Sequence, residues 1–370
     1  MPIQNSGADI LLHDHIDGAF PLLGILHQLH HMSGKKYPLD RWARHHEQIK
    51  EWFLNGGVHE NIVEKFSLTT GVMQDLDTIM LVAETYVKVR ARQGIKYCEV
   101  RYAPQYSTFL GLREDEVIRA LIRGIKKGER EFPEIEVNLI ASIGREVSSF
   151  ESERLVAVID RVRRETPYAD YIVGIDLVCN EAQNPPEKHL DAFRLAKRLG
   201  LKTICHAGEW VIDREEKDKD NPDKIKENLA RDLPQLDKNI RTAVFDLKVD
   251  RIGHAIGLGY DLELMKAVVD KGIGIELCPG SNLVTGLISD IKDLKIKELL
   301  GMGVLCSLNP DDDLFLPDIN SVFEMYQDAY YKSPTAENLD LSKEEKKKLI
   351  ENAWKTRFGN RKQHSLRINT

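Results

Sequence analysis

Two histidines, His13 and His15, stand two residues apart in "ILLHDHIDGAF" (residues 10–20), where an apolar run gives way to a glycine turn. Two residues is the side-chain period of a β-strand, so both imidazoles project from one face. The stretch "CHAGE" puts His206 and Glu209 just past another apolar run. His254 ends "RIGH", while Asp311 and Asp312 follow "SLNP". Imidazole nitrogens with a carboxylate oxygen form a donor set that suits Zn2+, and less often Fe2+ or Mn2+. Three or four protein ligands leave room for a water, the mark of a catalytic rather than a structural site. An HxH pair or an acidic turn alone has an ordinary structural explanation. The argument rests on their coincidence at the ends of strands.

Eight short apolar segments read as strands: 8–13, 95–102, 136–143, 171–177, 201–207, 250–254, 273–278 and 303–309. Between them lie stretches with apolar residues at i, i+3 and i+4 that close on Gly, such as "VIRALIRGIKKGERE", "HLDAFRLAKRLG" and "DLELMKAVVDKG". Strand then helix, eight times, predicts a (β/α)8 barrel of the TIM type, with its active site where the strands end. Closing that barrel brings strands 1 and 8 together, so three histidines and a carboxylate from strands 1, 5 and 8 can meet. The expected organisation is one domain over 1–370, with a helical lid excursion at 16–94 and a charged insertion at 211–249. The insertion reads as exposed and solvated. His27, His30 and His31 have helical spacing within the lid and read as a solvated or lid face, as do His45, His46, His59 and His189. Glu99 and Arg101 alternate along strand 2 and read as a buried ion pair. Phe66 and Leu68 could close over a base or simply pack a helix, and Cys278 and Cys306 read as strand packing.

The bulk properties fit that picture. The 370 residues are 42% hydrophobic and 30% charged, with a net charge of −7 and a pI of about 6.0. An acidic chain of this kind does not suggest a nucleic-acid or membrane partner. Five scattered cysteines without a CxxC pair suggest reduced thiols, and "MPIQNSGADILLHDH" predicts no secretory leader. The expected location is the cytoplasm. The oligomeric state is left open.

In order along the chain, "HDHIDGA", "YCEVRYAP", "VGIDL", "HAGE", "RIGHAIGL", "ELCPGSN" and "SLNPDDD" resemble the successive signatures of the adenosine deaminase family. These are zinc-dependent purine nucleoside deaminases built on a (β/α)8 barrel. The resemblance implies one zinc held by His13, His15, His206 and Asp311. It implies that Glu209 protonates purine N1, that His254 handles the proton of the attacking water, and that Asp312 bonds N7. Asp17 would contact the ribose 5′-hydroxyl, with His15 and Cys179 also bordering the substrate. The implied reaction is hydrolysis of adenosine and 2′-deoxyadenosine to the inosine compounds and ammonia, a purine-salvage step. Alternatives are a deaminase for a 5′-substituted adenosine, which Asp17 argues against, and a silent nucleoside-binding member. Two-metal hydrolysis is disfavoured, because no Lys follows strand 4.

Four departures from the family pattern stand out. "GIDLVCNE" puts Cys179 and Asn180 where the family has Gly-Asp, and that glycine's N–H reaches purine N3. Ala255 follows His254 where Gly is common, and Asp313 stands where Pro is common. The interval from His206 to His254 is also longer than usual. These changes spare the metal and proton-transfer groups, so activity is expected with altered selectivity or rate.

Overall fold

The structure, a computed structural model, describes residues 9–19, 66–67, 69–210, 221–313 and 341–362. Its centre is one sheet of eight parallel strands in the order β1 to β8: Ile10–His15, Tyr97–Tyr102, Glu136–Gly144, Ile172–Val178, Lys202–Ala207, Arg251–His254, Gly274–Leu277 and Leu305–Leu308. Helices α1 (Leu76–Arg92), α2 (Glu114–Glu131), α3 (Ser149–Arg163), α4 (Leu190–Arg198), α5 (Pro222–Arg241) and α6 (Leu262–Lys271) follow the strands in turn. A short α7 (Pro279–Val284), α8 (Ile296–Met302) and α9 (Lys343–Thr356) complete the order. This is the (β/α)8 barrel that the alternation predicts. Residues 20–65 of the predicted lid excursion, with His27, His30, His31, His45, His46 and His59, and also Leu68, lie outside the described residues. Among those described, no helix is long and apolar enough to cross a membrane.

The barrel closes between β1 and β8 through residues just past β8. The Asp311 N–H donates to His13 O (3.0 Å), and the His15 N–H donates to Asp311 O (3.2 Å). The Asn309 side-chain oxygen accepts from the N–H groups of Leu12 and His13 (2.9 and 3.1 Å). β1 also runs two residues further than the sequence suggests, ending at His15. Its pairing with β2 slips between Leu11, opposite Cys98, and Asp14, opposite Val100, so one extra residue sits in β1. Such a bulge re-aims side chains. Leu11 and Asp14 both face the helices, while His13 and His15 both face the barrel axis.

Three expectations need correction. The charged run is solvated on one face only. In α5, Ile225, Leu229, Leu236 and Ile240 recur at helical spacing and are buried against the barrel, while Lys224, Lys226 and Glu227 face water. Residues 211–220 of that run lie outside the described set. Glu99 and Arg101 are buried on the same inner face, but each pairs elsewhere. Glu99 holds Arg251, and Arg101 holds Asp176 (2.6 Å) and Glu276 (2.8 Å).

His189 is the third correction, since it is fully buried rather than solvated. Its Nε2–H donates to Arg145 O (3.1 Å), and its Nδ1 meets Ser152 Oγ at 2.7 Å. Burial, helped by the Arg145 charge, pushes its pKa down to about 4. The folded protein therefore resists a proton that the unfolded chain accepts near pH 6.5. The stabilising effect is complete above pH 6.5 and is lost as the pH falls toward 4. Urea unfolding should show a loss of roughly 3 kcal/mol over that window attributable to this group. His189→Gln should flatten that segment of the profile. An unchanged pH dependence in the variant would assign the effect to other groups.

Candidate metal centre and active site

The ends of β1, β5 and the seam past β8 deliver four donors to one point. His13 Nε2 lies 3.1 Å from Asp311 Oδ1, and His15 Nε2 lies 3.3 Å from the same oxygen and 3.3 Å from His206 Nε2. All four donor atoms fall within 4.8 Å of one another. A tetrahedral ion with bonds of about 2.0–2.2 Å spaces its ligands about 3.3–3.6 Å apart, so the cluster is close to the right size for zinc. His13 Nε2 is also buried without a hydrogen-bond partner, as a donor reserved for a metal would be. His13, His254, Cys278 and Asp311 form a second convergent set. Burial and the Asp311 charge hold the Cys278 thiol well above its usual range, which disfavours the thiolate that binds metals. The three-histidine set is the better fit.

Two acids that sequence reasoning gave no role orient these ligands. Glu276 on β7 accepts from His13 Nδ1 (2.9 Å), and Asp176 on β4 lies 3.1 Å from His206 Nδ1. A proton fixed on Nδ1 leaves Nε2 as the lone-pair donor. Burial pushes His206 down to about 4, so the ring stays neutral and able to ligate. Arg101 spans both acids and donates to Leu12 O at 2.6 Å. The available signal was an acidic residue at an inward position of an otherwise apolar strand, present in both "VGIDL" and "GIELC".

Beside the donors stand two groups shifted in opposite directions. Glu209 Oε1 is 3.5 Å from His254 Nε2, which lies 3.7 Å from Asp311 Oδ2. Burial, then the negative charges of Asp311 and Glu181, hold the Glu209 carboxyl well above its usual range. Burial first, then the neighbouring imidazoles of His13, His206 and His15, pushes His254 well below 6.5, even against the pull of Asp311. One group is thus kept as an acid and the other as a base. Glu181, also missed in the sequence, accepts from the N–H groups of Gly208, Glu209 and Trp210 (2.9, 2.9 and 3.1 Å) and from Asn239 (2.7 Å). It fixes the backbone that carries Glu209. The Asn282 amide lies 3.1 Å from His254 Nδ1, and its Oδ1 has no partner. A half-turn of the amide sets that oxygen against Nδ1–H and frees Nε2 to accept a proton.

Asp312 adjoins this group with Oδ1 buried and unpartnered. Burial and the neighbouring Asp311 charge hold its carboxyl well above the usual range, so it can donate a hydrogen bond. Gly18 makes room for it, since a Cβ there would come within 1.6 Å of Asp312 Oδ1. Asp17, one residue earlier, is buried and raised to about 6, with burial the dominant cause. Asp313, the departure after the acid pair, is buried against Arg90 of α1 (2.9 Å), which also holds Asp14 (2.9 Å). Phe66 packs against the core in a half-buried position.

Cys179 follows β4 with φ +78, and its side chain is exposed at the barrel mouth. His254 (φ 66), Ala255 (φ 52) and Asp311 (φ 62) share the left-handed region. Of the six non-glycine residues in that region among those described, four line the mouth, where such strain concentrates at working sites.

A family model described as "Adenosine deaminase" matches residues 9–214 and 236–368. The chain belongs to the adenosine deaminase family. The stretch left unmatched, 215–235, falls within the charged insertion. An adenosine deaminase of Clostridium acetobutylicum is 30% identical over 68% of this chain and just under two thirds (66%) of its own length. One from Mycobacterium leprae is 28% identical over 86% of this chain and 83% of its own. Among solved structures, an adenine deaminase from Arthrobacter aurescens aligns with a TM-score of 0.72 and 22% identity, covering 95% and 94% of the two chains. A Burkholderia amidohydrolase with bound zinc gives 0.72 and 20%, over 95% and 86%. The N6-methyl-AMP deaminase of Arabidopsis thaliana gives 0.69 and 24%, over 95% and 92%. The family is one of metal-dependent aminohydrolases, and this protein is an adenosine deaminase-type enzyme of it.

Asp176→Asn keeps the shape of the residue but removes the charge facing His206. It should weaken zinc affinity about 10–100-fold in a chelator competition, the usual cost of losing such a partner. Affinity within twofold of the parent would remove Asp176 from the metal site.

Proposed function

We propose that this protein hydrolyses the 6-amino group of adenosine and 2′-deoxyadenosine, releasing ammonia and the inosine compounds, as a step of purine salvage. The observation that carries this reading is the pairing of Glu209 with His254, 3.5 Å apart and shifted in opposite directions beside the four donors. His13, His15, His206 and Asp311 would hold a single zinc ion. Zinc bound there would lower the pKa of water from 15.7 to about 7 and so supply a nucleophile at neutral pH.

The protein's own groups do the rest. Displacing an amine from an aromatic carbon requires breaking aromaticity, so negative charge builds on the ring as carbon 6 is attacked. Glu209, kept protonated by its surroundings, gives its proton to N1 and cancels that charge. His254 accepts the proton of the attacking water through Nε2 and can pass it to the departing amine. The protonated Asp312 carboxyl donates to N7. Asp17 accepts from the 5′-hydroxyl of the sugar, beside His15. The backbone N–H of Cys179 reaches N3.

A 5′-phosphate fits this site less well than a free hydroxyl. Asp17 and Glu146 place acids at the mouth. Among the described residues the acid placed to meet the 5′ end is the buried Asp17, which favours a free hydroxyl and so a nucleoside over a nucleotide.

The deciding assay is ultraviolet-monitored turnover by the zinc-loaded protein of adenosine, 2′-deoxyadenosine, 5′-methylthioadenosine, adenine and N6-methyl-AMP. Chelator-sensitive turnover led by the two nucleosides is expected; preference for any of the others would replace the substrate assignment. Glu209→Gln should retain one zinc per chain while kcat drops at least about 100-fold. Turnover near the parent's would take Glu209 out of the reaction.

A further inference from the structure

Gly144, Tyr106 and Cys179 interlock at the ends of β3 and β4. Gly144 is the last residue of β3, and a Cβ on it would lie 2.2 Å from the Tyr106 hydroxyl. The absence of a side chain there is what admits the phenol. That hydroxyl donates to Glu146 Oε2 (2.8 Å) and lies 3.1 Å from Cys179 Sγ. Glu146 Oε1 accepts from the Asn180 N–H (3.2 Å), tying the exit of β4 to the same carboxylate. Cys179 itself holds a left-handed φ that would cost glycine nothing. Its exposed side chain is steered by the phenol, and both stand at the barrel mouth.

The order of the strands says which part of a bound purine this wall would meet. The inference rests on the nucleoside reading above, with N1 at Glu209 after β5 and N7 at Asp312 after β8. The purine perimeter from N1 the long way round to N7 runs through carbon 2, N3 and then the sugar nitrogen. The strands from β5 the long way round to β8 are β4, β3, β2 and β1. Carbon 2 and N3 therefore face β4 and β3, and the sugar faces Asp17 after β1.

We propose that Cys179, held in place by Tyr106 in the space left by Gly144, is a selectivity wall against purines substituted at carbon 2. The Cβ and thiol occupy the volume that a glycine would leave open at that edge. Tyr106 acts through the thiol and is a positioning residue. It keeps Sγ from swinging clear, and Glu146 keeps Tyr106 from doing so. A rigid wall at a hydrogen-bearing ring carbon rejects any group larger than hydrogen, whereas a loose one would yield.

The test compares 2-chloroadenosine with adenosine on the zinc-loaded protein, reading the ratio of kcat/KM values. Inhibition by guanosine relative to inosine, which differ only by the 2-amino group, gives a second readout independent of turnover. In the parent protein the 2-chloro compound should be at least about tenfold poorer, the scale of a small steric misfit in a closed pocket. Cys179→Gly, which suits the left-handed backbone, should raise the ratio about tenfold and strengthen guanosine inhibition relative to inosine. Tyr106→Phe keeps the ring but frees the thiol, and should move both readouts the same way by a smaller factor. A parent that accepts both substrates equally, or unchanged ratios in Cys179→Gly, would overturn the proposal. A response in Cys179→Gly alone would overturn the role given to Tyr106. If no adenine nucleoside is turned over by the parent protein, the nucleoside reading itself has failed and the wall has no purine edge to face.

Discussion

A barrel interior that contains charges must pair every one of them, and Arg101 is where the pairing converges. Its guanidinium is fully buried and meets Asp176, Glu276 and the Leu12 carbonyl at 2.6 to 2.8 Å. An arginine can do this because its planar fork offers several donors in fixed directions. Each acid it neutralises has a second task, Asp176 at His206 and Glu276 at His13. Glu276 also meets Arg251 (2.6 Å), whose guanidinium stacks 3.8 Å from the Phe358 ring. Arg251 holds Glu99 as well, and Glu99 accepts from the Phe358 N–H (2.5 Å) and the Tyr97 hydroxyl (2.5 Å). The imidazoles at the mouth are thus aimed by a chain of ion pairs that reaches the floor of the barrel. Breaking one member of such a buried set typically costs about 3–5 kcal/mol, since the charge left behind has no solvent.

The elements and the candidate site residues that the structure brings together were legible because each carries a local signal. Apolar runs with period two ended in His, Glu or Asp, and the fold turns those ends to one side. What could not be read is long-range. The bulge in β1 appears only in its pairing with β2, and without that extra residue the two histidines would share the outward face of Leu11. Asp176, Glu276, Glu181 and Asn282 act on residues that are neighbours only across the barrel. His189 looked like a helix-surface histidine, and its burial depends on Ser152 and Arg145 from the neighbouring unit. The insertion misled for another reason. Charged residues so outnumber the four buried aliphatic residues of α5 that its narrow apolar stripe is lost in the composition.

The departures from the family pattern turn out to be held in place by partners. Asp313 acquires Arg90, and with it a tie between α1 and the loop that carries Asp311 and Asp312. Ala255 keeps the left-handed backbone that glycine would favour, and its N–H donates to Ala207 O (3.1 Å). At Cys179 the partners are Tyr106 and, through it, Glu146. Asp313 and Cys179 are engaged through their side chains, whereas Ala255 is tied through its backbone.

The seam also sets the order in which the protein can be made. His13 and His15 emerge first from the ribosome, His206 much later, and Asp311 only after all eight strands have been synthesised. At roughly 5–20 residues per second, the nascent chain exposes unmatched imidazoles for many seconds before the carboxylate arrives. Because the Asp311 backbone is also the bridge that shuts β1 against β8, the last of the four candidate donors and the closure of the barrel arrive in one event. A metal held at these four donors would meet the full set, with Asp176 and Glu276 behind the imidazoles, only in the closed barrel. A chain stalled short of the seam would carry histidines able to capture a stray ion, but no geometry with which to reject the wrong one.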